Sequence, residues 1–265
     1  MSTRLPSAVP WPTGAAPLPI ASQRPVLERL ASLALTHPDD LTPIAGLAQS
    51  DEDVSADPPP ALEQIVDEFG GIVRHGITEL TLLAEERTDV GPYTLLGPAE
   101  TYYPLHEDPE SAVVLAIDPD GTPGAVYGIG EDLALQLAAS DLGGYLNRVA
   151  DALQAAVDPA VVGDGDVDAR AERAEQVMDR ELYREVLGMQ GLGDVPDVAL
   201  QQVTECAQDL RAPGALPEGT IAVADLREAP RGARVDLVDA DLPGDPLERS
   251  VVFSHRGLVV CILDT

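Results

Sequence analysis

Lysine is absent from the chain: all 16 basic residues are arginine, against 46 Asp and Glu, and the net charge is -30. Asparagine occurs once, at Asn147. This is the codon bias of a GC-rich genome, such as an actinobacterial one; the acidic surface of a halophile is the second reading. With so few cations, the chain lacks the positive footprint that binding nucleic acid through its phosphates requires, and anionic membranes repel it. Aromatic residues make up only 3%, so a core must come from Leu, Val and Ala. Cys206 and Cys261 are the only cysteines, which excludes a disulfide framework and suits a reducing compartment. No apolar run approaches the ~20 residues that span a bilayer, and the Pro-rich start has no signal-peptide core. A cytoplasmic protein is expected.

The 265 residues suffice for one large domain or two ordinary ones. Residues 1–24 read as a Pro-rich irregular tail carrying Trp11, a residue expected to pack on the domain. From Pro25 the spacing of Val26, Leu27, Leu30, Leu33 and Leu35 predicts a helix with these residues on one side, followed by an acidic loop broken by proline. "PPALEQIVDEFGG" predicts a second helix, opened by proline and stopped by Gly70 and Gly71. The period then falls to two. "GITELTLLAEE", "PYTLLG", Ala112 to Asp118, Ala125 to Ile129 and "LALQLA" read as strands. Ser140 is placed to cap a helix whose stripe is Leu142, Tyr145, Leu146, Val149 and Leu153. Consecutive strands with short turns, between helices, predict an α+β domain with an antiparallel sheet over residues 25–158. Residues 159–167 read as an acidic linker. Residues 168–265 read as a smaller α+β unit, or an extension packed on the first: helices with Val177, Met178, Leu182 and Val186 inside, then β-hairpins, the last turning at "HRG".

Three stretches carry a resemblance. "PPALEQIVDEFGG", the strand–turn–strand "VVLAIDPDGTPGAVYGI", and "LALQLAASDLGGYLNRVADAL" with Tyr145 near its helix start together resemble the SUKH superfamily, over about Pro25 to Val157. That group includes a yeast cell-wall synthesis regulator and many bacterial toxin-immunity proteins. The resemblance implies an antiparallel sheet flanked by helices and a protein that works by binding another protein, often a nuclease toxin.

The chemistry-bearing motifs are weak. Counted from Asp118, "DPDG" lacks the glycine and the bidentate glutamate of a calcium loop and reads as a hairpin turn. Asp164, Asp166, Asp168, Glu172 and Glu175 have calcium-loop spacing, but Ala169 stands where the sharp turn needs glycine; the run reads as a linker and an acidic first helical turn. There is no G-x-S-x-G elbow, no phosphate-cradling glycine loop and no zinc spacing. His37, His75, His106 and His255 are scattered, and a Cys206–His255 pair would need the fold to bring the two together. No cofactor, metal or catalytic residue is expected. An interaction protein remains. "ETYYPLHEDPES" sets Tyr102 and Tyr103 beside Glu107, Asp108 and Glu110, the chemistry of a surface for a basic protein partner, although one tyrosine packed on the sheet accounts for it equally. The expected function is a non-catalytic immunity or regulatory protein that captures such a partner, of which a basic nuclease is one kind. A structural or signalling adaptor of the same fold, and a hydrolase with an unrecognised site, are the alternatives.

Overall fold

The computed structural model describes residues 9–50, 56–84, 91–107, 110–163, 166–188, 196–203, 216–238, 242 and 249–264. The fold is α+β with antiparallel sheets. Helix α1 (Ile20–Thr36) leads to strand β1 (Leu41–Ala45), short helix α2 (Glu63–Glu68), and strands β2 (Phe69–Arg74) and β3 (Ile77–Thr81). Strands β4 (Tyr102–Glu107), β5 (Ala112–Ile117), β6 (Pro123–Ile129) and β7 (Leu135–Ala139) follow, then helices α3 (Leu142–Val157), α4 (Pro159–Val162) and α5 (Val167–Met178). A π-helical turn (Asp179–Tyr183) runs into α6 (Arg184–Val186). Strands β8 (Gln201–Gln202), β9 (Thr220–Asp225), β10 (Arg234–Val235), β11 (Arg249–Ser254) and β12 (Val259–Asp264) complete the described elements. They form three sheets, in the orders β1-β2-β3, β10-β7-β6-β5-β4 and β11-β12-β9-β8.

The five-stranded sheet lies in the middle. Its β5 run "AVVLAI" has no polar alternation because both of its faces are buried. Val113, Leu115 and Ile117 pack toward α1 and α3, joining Leu30, Tyr145, Leu146 and Val149 in one core. Ala112, Val114 and Ala116 face the other way, into a second core with Ala222, Ala224, Phe253, Val260 and Ile262 of the C-terminal sheet. Alanines on both inner faces leave room for Tyr127 and Phe253, whose rings stack 5.2 Å apart. The C-terminal strands are therefore built into the first domain's core: β10 extends the central sheet beside β7, and the remaining C-terminal strands cover its open face. No core boundary falls at residue 168.

The hairpin of β5 and β6 is antiparallel, and the stripe of α3 is buried as its spacing predicts. Several local expectations are corrected. The cap of α3 is Asp141, which accepts the Gly144 N–H at 2.8 Å, not Ser140. Helix α1 starts at Ile20, so Pro25 lies inside it, and its buried side takes Ala34 rather than the expected Leu35, which is exposed one position off the stripe. The preceding segment is a strap: Trp11 is 8% exposed, its indole N–H donates to the Asp57 carbonyl at 3.1 Å, and the Leu18 N–H donates to the Ala61 carbonyl. Strand β1 carries Pro43, which an edge strand tolerates because the missing N–H need not face a neighbour. Gly70 and Gly71 belong to β2 rather than to a helix cap, because the chains run too close for side chains; a Cβ would stand 2.3 Å from the Ala45 carbonyl oxygen at Gly70 and 2.2 Å from that of Leu80 at Gly71. "PYTLLG" contains a 3₁₀ turn, Gly91–Leu95, rather than a strand. The stretch "VPDVALQQVTECAQDL", expected to be a helix, is non-helical over residues 196–202, where Asp197 bridges to Arg234 and Gln201–Gln202 form strand β8; residues 204–210 lie outside the described residues.

The "DPDG" turn has a purpose beyond reversing the chain. The Asp118 carboxylate accepts the N–H groups of Arg256 (2.7 Å) and Gly257 (3.0 Å) at the β11–β12 turn. His255, Arg256 and Gly257 all have positive φ, at 58°, 57° and 73°, a left-handed run that costs about 1–2 kcal/mol for each non-glycine residue. The Tyr127 hydroxyl donates to the Gly257 carbonyl at 2.6 Å, and the Ala125 N–H donates to that of Arg256 at 2.8 Å. The strained turn is thus gripped from one side by β6 and the Asp118 turn. Gly124 makes the approach possible, since a Cβ there would fall 2.1 Å from the Arg256 carbonyl carbon.

Gly124→Ala is therefore expected to destabilise by about 1–3 kcal/mol, as overpacking does. Gly144→Ala, within α3 and with its nearest neighbour at an ordinary 3.5 Å, should stabilise by about 0.5–1 kcal/mol; urea denaturation of both variants checks the contrast. Burial, opposed by the two amide hydrogen bonds, raises the Asp118 carboxyl above its ordinary value of 3.8. A raised folded-state pKa means that the proton-linked stability is present below 3.8 and is lost as pH rises through the folded value. The stability difference between wild type and Asp118→Asn should accordingly be larger near about pH 3 than near about pH 7. A difference independent of pH would show that the Asp118 carboxyl binds its proton equally in the folded and unfolded states.

Candidate functional site

The strands of the β2–β3 hairpin contain two charged residues, Arg74 and Glu79, and both point inward. The pairing explains how. Ile72 is opposite Leu80 and Val73 opposite Thr78, so Glu79 is the extra residue of a bulge that turns it toward the core. The Arg74 Nε–H donates to Glu79 Oε1 at 2.6 Å, with the two side chains 2% and 0% exposed. The Tyr183 hydroxyl donates to the other carboxylate oxygen. That phenol is delivered by the π-helical turn after α5, the kind of irregularity that re-aims a side chain. The His106 ring on β4 lies 5.1 Å from the Tyr183 ring, and its Nδ1 sits 3.0 Å from the Thr78 carbonyl; a carbonyl only accepts, so Nδ1 carries the proton. Burial, reinforced by the Glu79 charge, raises the Tyr183 and Tyr145 phenols well above their ordinary range and keeps both protonated. The Tyr145 hydroxyl has no hydrogen-bond partner among the described residues.

The tyrosines expected at a partner surface are core residues. Tyr102 is 4% exposed and stacks on Tyr93. Tyr103 is fully buried, lies edge-on to Trp11, and donates its hydroxyl to the Leu82 carbonyl at 2.7 Å. Strand alternation separates them: Tyr103 joins the helix-side core and Tyr102 the sheet-side core. Neither can serve as a surface anchor. Glu107 ends β4, opposite Ala112; Asp108 lies outside the described residues; Glu110 is exposed in the turn before β5. The two tyrosines are inside, and Glu110 is at the surface.

The other chemical candidates have local explanations. Asp166 caps α5 by accepting the Ala169 N–H at 2.9 Å; Asp168, Glu172 and Glu175 follow along that helix, and Asp164 lies outside the described residues. Among the described residues no three His, Cys, Asp or Glu side chains converge as metal ligands, and no helix is long and apolar enough to cross a membrane. Cys261 is buried, which pushes its thiol up to about 12. Cys206, its suggested partner with His255, lies outside the described residues. His255 instead lies beside Ser254, with Oγ and Nδ1 2.9 Å apart, a proximity their adjacency did not announce.

Breaking a buried ion pair strands a charge, whereas replacing both partners removes the desolvation problem. Arg74→Met and Glu79→Leu should each destabilise by about 3–5 kcal/mol, and the double variant should recover most of that loss. A double-mutant cycle in urea measures the coupling. Additive losses would mean that the two residues act separately. Tyr102→Ala and Tyr103→Ala are expected to cost about 3–5 kcal/mol each by emptying core volume.

Comparison with known proteins returns no matching family model, no matching curated protein and no matching solved structure.

Proposed function

We propose that the chain is a non-catalytic protein-binding module that captures a basic protein partner, as a cytoplasmic immunity or regulatory protein of SUKH type does. The observation that carries this reading is the disposition of its charge. Arg24, Arg29, Arg74, Arg148, Arg170, Arg180, Arg184, Arg227, Arg231 and Arg234 each lie within ion-pair distance of a carboxylate of the same chain. These are ten of only 16 cations, against 46 acids. The cations are largely engaged internally, so the field presented to a partner is negative. The element order over residues 60–157, a short helix, antiparallel strands and a long helix packed on the sheet, supports the SUKH resemblance as the source of the immunity reading.

The hydrolase alternative has one observation in its favour, the Ser254–His255 contact. Against it, the two amides that follow are already taken by the Asp118 carboxylate, and Ser254 is buried. A serine-directed phosphonate probe is expected to leave Ser254 unlabelled; stoichiometric labelling would restore that alternative.

With a basic partner in hand, association should slow steeply as salt rises, because attraction is screened beyond ~8 Å at physiological ionic strength. Dissociation should change less, since short-range packing holds the complex once it has formed. Glu110→Gln should lower the on-rate. Stopped-flow kinetics at two salt concentrations test this, and a salt-independent on-rate would assign the charge to solubility alone.

A further inference from the structure

The three-stranded sheet takes its two charged strand residues into the core, among Leu41, Ile72 and Leu80. Its inner face carries the ion pair of Arg74 and Glu79. Register and burial assign Thr42, Ile44, Val73, Thr78, Thr81 and Leu83 to its outer face. Thr42 and Thr78 are exposed and the other four are half-buried. Ile44 and Leu83 lie over Gly70, with Ile44 also reaching Gly71, filling the shallow ground where β2 has no side chains. None of the six side chains is charged. In a chain with 23% charged residues, a solvent-facing sheet would ordinarily be dotted with carboxylates, as solubility favours. Here the hairpin's two charges are inside, where an ion pair is costly, and Val73, Thr78 and Thr81 are outside.

We infer that this outer face is the docking surface for the basic protein partner, an assignment that rests on the reading above and gives it a location. Charge decides the occupant. At the β2–β3 turn end the face is bounded by exposed Asp39; Asp40 beside it is already paired with Arg170 at 3.4 Å and lies 3.5 Å from His75. Along β3, the His106 contact with the Thr78 carbonyl brings β4 alongside, and the turn after β4 carries exposed Glu110. An uncharged centre with carboxylates at its margin suits a partner that covers the centre with apolar side chains and reaches the margin with arginine or lysine. A second copy of this chain does not suit it, since each copy carries -30. Addition of a strand at the sheet's outer edge is hindered by Pro43 in β1. Binding is across the face.

The test uses the whole protein, isotopically labelled, and an arginine- and leucine-rich amphipathic helical peptide as probe, with the same peptide carrying glutamate for arginine as control. Line broadening in two-dimensional NMR should centre on Thr42, Ile44, Val73 and Thr78 and be absent with the control. Thr42→Arg and Thr78→Arg should each weaken binding about tenfold or more, by placing like charge against the cationic probe. Gln176→Arg, an equal charge change on the exposed side of α5, should leave binding nearly unchanged. All three substitutions are at exposed positions, and thermal melts verify that the variants fold. Binding that broadens residues elsewhere, or that all three variants weaken alike, overturns the docking face while leaving a basic-partner protein intact as a reading. No binding at low salt overturns both. Broadening of the same sheet residues with protein concentration alone would identify a second copy as the occupant and overturn the inference.

Discussion

The carboxylate of Asp118 accepts two backbone amides from a turn more than a hundred residues away, and the C-terminal sheet takes its place on the central sheet through that grip. Apolar burial alone does not choose an orientation between two flat faces lined with alanine and valine. A left-handed run at His255 and Arg256, closed by hydrogen bonds from Ala125 and Tyr127, does. The N-terminal strap reaches the same place: a Cβ on Gly121 would stand 2.6 Å from the Pro12 carbonyl oxygen. Both outlying segments of the chain are thus referred to one hairpin, and the central sheet is buried on both sides as a result.

Charge is handled in a consistent way. The few arginines are drawn into pairs, and one pair is taken fully inside. That pair is an improbable source of net stability, because desolvating two ions consumes most of what their attraction returns. Its effect is geometric. Glu79 is met by Arg74 from β2 and by Tyr183 from the π-helical turn, so the region following α5 can dock on the hairpin in only one register. The uncharged outer face of the same hairpin is the complement of that arrangement.

Where sequence reading succeeded, the local pattern and the tertiary environment agreed. "AVVLAI" has no polar alternation, and β5 is buried on both faces; the α3 stripe has helical period and one buried side; "HRG" joins two apolar runs and is a hairpin turn. Where it fell short, distant backbone decided. Pro43 disguised β1 because proline is permitted only when the neighbouring side is empty, and that depends on β2. Gly70 and Gly71 resemble a helix stop, yet are glycines because β1 and β3 run against them. In "ETYYPLHEDPES", tyrosines beside acids suggested a partner surface, while alternation placed Tyr102 and Tyr103 in two different cores. Of the candidate surface residues whose side chains are described, Glu110 is exposed as expected and the two tyrosines are not. Arg74 and Glu79 carried a faint signal, since Arg74 shares the phase of Ile72, but the bulge that turns Glu79 inward has no local signature. The joining of β10 to β7 had none either, since two residues of pairing leave no periodicity to read.

Trp11 is the chain's single tryptophan, and it lies in the strap, packed edge-on to Tyr103 with its indole N–H bonded to the Asp57 carbonyl. Excited beyond the absorption of its six tyrosines, the molecule emits from one latch. Its emission reports whether the strap is seated, while circular dichroism in the peptide region reports the sheets and helices. The two spectra observe separate events in an unfolding titration, and a gap between their midpoints gives directly the range of conditions in which the strap has lifted from an otherwise folded protein.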